Sequence, residues 1–138
     1  MYFYIEPEVS GGFGENTVID TSVHPPKVSR LHYQFDGWLG DDLLESFPCY
    51  IVSEYLAKEI EKSGLTGFRF KEVEVSKSEQ FEELYPGKEL PKFRWLKVIG
   101  DAGQDDFGVA DDCRLVISEK ALETLNKGKI EEADLEQF

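Results

Sequence analysis

The chain has 138 residues, 41% hydrophobic and 13% aromatic, which fits a single globular domain spanning 1–138 and argues against disorder. Asp and Glu number 28 against 15 Lys and Arg, giving a formal net charge of −13. That balance makes nucleic acid and anionic membranes poor partners and favours a basic protein, although acidity also serves solubility alone.

Tyr2 to Ile5 reads as a short aromatic strand halted by Pro7. The start lacks the basic residues and long apolar core of a secretory leader, and no run reaches the length of a membrane span. A cytoplasmic location is therefore expected. Gly11, Gly12 and Gly14 predict a surface loop; the run lacks the Lys-Ser/Thr of a phosphate loop and a helix to follow it. Thr17 to Asp20 fits a short strand, and Pro25-Pro26 forces an extended turn.

Val28 to Phe35 reads as one strand, with Leu31, Tyr33 and Phe35 on one face and Arg30, His32 and Gln34 on the other. His24 and His32, with two prolines between them, have no metal-ligand spacing. His32, Asp36 and Trp38 mark the place where a small hydrolytic or ligand-binding site can be drawn. Asp36 to Leu44 is rich in turn residues, and Trp38 has two readings, a core anchor or a recognition aromatic beside Asp41 and Asp42. Leu43, Leu44 and Phe47 are expected to return the chain to the core before Pro48.

The next stretch, CYIVSEYLAKEIEKSGLTGFRF from Cys49 to Phe70, organises the chain. Tyr50, Ile51 and Val52 are strand formers, Ser53 is a helix N-cap, and Glu54 suits the first turn. Leu56, Ala57 and Ile60 give one apolar helical face, Gly64 stops the helix, and Phe68 and Phe70 begin an alternating strand. An imperfect second copy starts at Arg114: Leu115 to Ile117, Ser118, then Ala121, Leu122 and Leu125, with Gly128 as the stop. Ser53 and Ser118 differ by 65 positions, as do Glu54 and Glu119. The match reads either as a repeated unit or as convergence on good capping grammar. Cys49 and Cys113 fall one position out of step with it; neither forms a CxxC or a metal pair, and both fit buried apolar roles.

Between the copies, Ser78 caps a short helix ended by Pro86-Gly87, and Phe93 to Ile99 is apolar on both faces, as a central strand requires. The stretch GDAGQDDFGVADDC then gathers Asp101, Asp105, Asp106, Asp111 and Asp112 around Phe107. Counted from Asp101, it has no glycine at the sixth position and no glutamate at the twelfth, so it fails as a calcium loop. No metalloprotease, nucleophile-elbow, Walker or dinucleotide motif occurs, and no cofactor is expected.

The run YIVSEYLAKEIEKSGLTGFRF, through Val52, Ser53, Glu54, Gly64, Leu65, Thr66, Gly67, Phe68 and Phe70, resembles a segment of immunity-type domains from bacterial polymorphic-toxin and contact-dependent inhibition systems. The resemblance does not extend to the N-terminal part and carries no catalytic residues. It implies a non-enzymatic protein that occludes a cognate toxin. Together these readings predict an α/β or α+β fold, a mixed sheet of about five to six strands with two main helices. The expected partner surface is Asp101, Asp105, Asp106, Phe107, Asp111 and Asp112, with Trp38, Asp41 and Asp42 as the second choice.

Overall fold

The computed structural model describes residues 1–138. Its strands are β1 (Tyr2–Glu6), β2 (Gly11–Phe13), β3 (Val18–Asp20), β4 (Lys27–Arg30), β5 (His32–Phe35), β6 (Leu43–Ser46) and β7 (Cys49–Ser53). After helix α1 (Glu54–Lys62) come β8 (Phe68–Lys71), β9 (Glu74–Lys77), α2 (Glu79–Leu84), β10 (Phe93–Val98) and β11 (Phe107–Val109). The chain ends with β12 (Leu115–Ser118), α3 (Glu119–Leu125) and β13 (Asp134–Gln137).

This overturns the expected α/β or α+β class. Thirteen strands form four sheets, and the three helices are short, so the fold is β-rich. The extra strands come from stretches with weak local signals. Gly11 and Gly12 form part of β2 because they lie against β5, where a Cβ on Gly11 would sit 1.9 Å from the Gln34 carbonyl oxygen. Leu31 divides the expected Val28–Phe35 strand into β4 and β5. β11 runs through the acidic stretch, and β13 is exposed at every residue, so neither has the alternation that marks a half-buried strand.

The two strand–serine–helix segments have the same local geometry. The Ser53 hydroxyl accepts the Leu56 N–H at 3.2 Å, and the Ser118 hydroxyl accepts the Ala121 N–H at 3.0 Å. β7 lies second in the antiparallel sheet β6-β7-β10-β8, and β12 lies second in the antiparallel sheet β11-β12-β1-β13. A hairpin partner precedes each of these strands, and a strand at the far edge of the same sheet follows each helix. α1 and α3 bury Leu56, Ala57, Ile60, Ala121 and Leu125 in one shared core, and the Thr124 hydroxyl meets that of Ser63 at 3.1 Å.

The sheet containing β7 separates two hydrophobic cores, because successive strand side chains point to opposite faces. Leu43, Tyr50, Val52 and Leu96 face the helices, with Ile5, Phe107, Leu115 and Ile117. Leu44, Ile51, Phe93 and Trp95 face the other way, against Tyr33, Phe35 and Phe81. β10 is flanked on both sides, as its apolar faces predicted. Phe47 was expected in the core, but Ser46 and Cys49 pair directly and the turn between them holds Phe47 54% exposed.

The two caps differ in one respect. The Ser118 hydroxyl also donates to Asp106 Oδ1 at 2.6 Å, so it belongs to a partly buried network that Ser53 lacks. Ser53→Ala is expected to cost about 1 kcal/mol of unfolding free energy. Ser118→Ala should cost about 2 kcal/mol, because the Asp106 carboxylate also loses a charge-assisted hydrogen bond. Urea denaturation of both variants checks the order.

Candidate functional site

The residues predicted to form the partner surface divide between structural roles and open surface. Phe107 is wholly buried among the residues of the helix-side core, so it cannot be an exposed anchor. Asp106 ties Thr66, after α1, to Ser118, the cap of α3. Its carboxylate accepts the Thr66 N–H at 2.9 Å and the Ser118 hydroxyl, while its own N–H donates to Thr66 Oγ1 at 3.2 Å. Burial alone would raise its pKa, but these hydrogen bonds outweigh it and hold the carboxyl below the usual range. Asp105 accepts the Asp101 N–H at 2.8 Å, and Asp112 pairs with Arg114 at 2.7 Å, a hydrogen bond that lowers the Asp112 pKa. Asp111 and Asp101 alone project freely from the stretch.

The second choice has a similar fate. Asp41 is fully buried, and its carboxylate receives the N–H groups of Glu131 and Glu132 at 3.1 and 2.8 Å. Burial raises its pKa, with these two bonds opposing. Asp42 Oδ2 accepts the Lys129 N–H at 2.6 Å. Both aspartates therefore fasten the segment after α3 to the start of β6. Trp38 donates its indole N–H to the Asp41 carbonyl at 2.9 Å and packs edge-on against Phe93, which makes it a partly buried anchor.

His32 is buried as well. Nδ1 accepts the Asn16 N–H at 3.3 Å, which leaves Nε2 as the donor to the Ser76 hydroxyl at 2.7 Å. A Cβ on Gly14 would lie 2.2 Å from this ring, so the imidazole is covered by backbone. Asp36 is exposed and Trp38 is turned to Asp41, so the three residues do not converge on one group. No cluster of three His, Cys, Asp or Glu side chains is placed to hold a metal.

What the fold does assemble is an acidic cleft between β1, β6 and the C-terminal segment. It has a volume of about 510 Å³ and is lined by Glu6, Glu45, Glu132 and Asp134. None of these four carboxylates forms an ion pair within the chain. Arg114, the one cation on the wall, is already held by Asp112 and by Glu136 at 3.2 Å, with its guanidinium 3.6 Å from the Tyr4 ring centroid. Burial, and then the neighbouring Glu6 charge, push the Glu45 carboxyl up to about 7. Val9, Leu39 and Phe47 stand at the rim, each more than half exposed.

A fifth carboxylate on the wall, Glu8, is satisfied by hydrogen bonds that brace the cleft. Glu8 is buried and accepts from the Ser10 hydroxyl, the Leu39 N–H at 2.8 Å and the Asp41 N–H at 3.3 Å. The Tyr33 hydroxyl accepts the Ser10 N–H at 3.0 Å and donates to the Glu45 carbonyl at 3.1 Å. Sequence reading missed Glu6, Glu45, Glu132 and Asp134, because single glutamates carry no signal in so acidic a chain. The one available clue was Phe47 beside Pro48, an aromatic placed at a turn.

No family model matches this chain, and no curated protein matches it. No helix is long and apolar enough to cross a membrane.

Proposed function

We propose that the chain is a non-enzymatic binding protein of the immunity type, which neutralises a basic bacterial toxin domain by occupying it through the acidic cleft. The observation that carries this reading is the set of four unpaired carboxylates surrounded by exposed Val9, Leu39 and Phe47. Carboxylates crowded without counter-ions repel one another, and a Lys or Arg from a partner relieves that repulsion as it binds. Three apolar side chains beside them supply the area that a charged contact alone lacks.

The net charge of −13 supports the same reading, since it steers a basic partner from a distance. So does the resemblance of the Val52–Phe70 segment to immunity-type domains. Inhibition by occlusion needs no catalytic group, only a face that covers the toxin's working surface. The test is the affinity of the chain for the product of the neighbouring gene, compared between the native cleft and a charge-reversed one.

A further inference from the structure

Away from the cleft, four cations gather on a protein that is otherwise strongly negative. Arg69 and Lys71 on β8, Lys97 on β10 and Lys27 on β4 form no ion pair with any carboxylate of the chain. Arg69 and Lys97 are directly opposed across the antiparallel pair, an arrangement that destabilises a sheet. Lys71 and Lys97 reach the Trp95 ring, with Nζ 5.3 and 5.4 Å from its centroid.

Two of these lysines open onto a pocket. Lys27 and Lys97 share its wall with Trp95, Val98, Val109 and Pro26, around a volume of about 360 Å³. That size falls within the range of small-ligand sites, and the lining is mostly apolar with few polar groups, as in such sites. Cys49 and Cys113 lie on its wall, and the Cys113 thiol sits 3.8 Å from His24 Nε2. Burial, followed by Lys71, Arg69 and Lys27, lowers the Lys97 pKa, so its charge is held at a cost that an anion would remove.

We infer that this pocket binds a small amphipathic carboxylate, with its apolar body against Trp95, Val98 and Val109 and its carboxylate between Lys27 and Lys97. The acidic cleft cannot take such a ligand, so the two sites select opposite charges.

Octanoate is a suitable probe, with octanol as its uncharged counterpart and inorganic phosphate as the headgroup without a body. Trp95 fluorescence and titration calorimetry should both report saturable binding of octanoate at one site. Octanol and phosphate should each bind at least about tenfold more weakly. Lys97→Met and Lys27→Met should each weaken octanoate by about tenfold while circular dichroism stays unchanged. Octanol binding as tightly as octanoate would overturn the proposal, as would phosphate matching it, or octanoate failing to bind the folded native chain. Retention of a single-stranded DNA through the same lysines with octanoate silent would overturn it equally, and would assign the patch to a polymer.

Discussion

Replacing Gly67 with alanine should destabilise the protein by at least about 3 kcal/mol, a large share of the total stability of a domain this size. Gly67 has φ +94°, a conformation that an alanine adopts only with strain. A Cβ there would lie 2.0 Å from the Phe107 carbonyl oxygen and 2.8 Å from the Asp105 Cβ. The first of these is backbone and cannot swing aside. The Gly67 carbonyl also accepts the N–H groups of Ile99 and Gly100 at 2.8 and 2.9 Å, while the neighbouring Thr66 carbonyl accepts that of Phe107 at 3.0 Å. Displacing this joint therefore disturbs β10, β11 and the Asp106 network together. Gly64→Ala is the contrast: its φ is also positive, at +66°, but no atom lies within 4 Å of the added carbon. It should cost only about 1 kcal/mol. Chemical denaturation of the two variants separates collision from backbone strain.

Glu45→Gln should stabilise the protein at pH 8 by about 2 kcal/mol and flatten its stability between pH 5 and pH 8. The folded Glu45 carboxyl is pushed up to about 7 from an ordinary 4.5. Between those values the folded state holds a proton that the unfolded state has released. Stability from this group is thus full below pH 4.5 and is lost as pH rises through 7. Burial is the larger cause of that direction, and the Glu6 charge adds to it. Glu6 faces it from β1, Tyr50 is its register partner on β7, and the Tyr33 hydroxyl is engaged by its carbonyl. No cation offsets Glu6. Glutamine keeps the shape and removes the charge, so denaturation curves at pH 5 and pH 8 isolate the electrostatic part.

How much of this was legible beforehand depended on distance along the chain. Ser53, Ser78 and Ser118 cap helices that begin where the sequence placed them, because capping and helical periodicity involve neighbours a few residues apart. The sheets depend on partners far apart. Tyr4 lies between Val116 and Glu136, and Gly11 pairs with Phe35, so nothing local to β2 or β13 announces a strand. Expecting two helices on one sheet gave too much weight to the segments with the clearest local grammar.

The same reasoning applies to the surface. Asp106, Asp41 and Asp42 stood out as clusters, yet they receive backbone N–H groups and hold loops in place. A buried carboxylate needs such donors, and a turn-rich segment supplies them. The unpaired acids come from opposite ends of the chain, Glu6 and Asp134 among them, and only the pairing of β1 with β13 brings those two together. Asp101 and Asp111 keep free side chains and serve as a comparison surface.

The most direct measurement is calorimetric titration of the proposed partner, the product of the neighbouring gene, at constant ionic strength, against three folded proteins. These are the native chain, a cleft variant carrying Glu6→Lys, Glu132→Lys and Asp134→Lys, and a loop variant carrying Asp101→Lys and Asp111→Lys. All five side chains are exposed, so the folds should survive. The cleft variant is expected to bind at least about a hundredfold more weakly, near 3 kcal/mol, with the loop variant within about threefold of native. Equal affinity of the native and cleft proteins, or a loss confined to the loop variant, would contradict the assignment of the partner to the cleft.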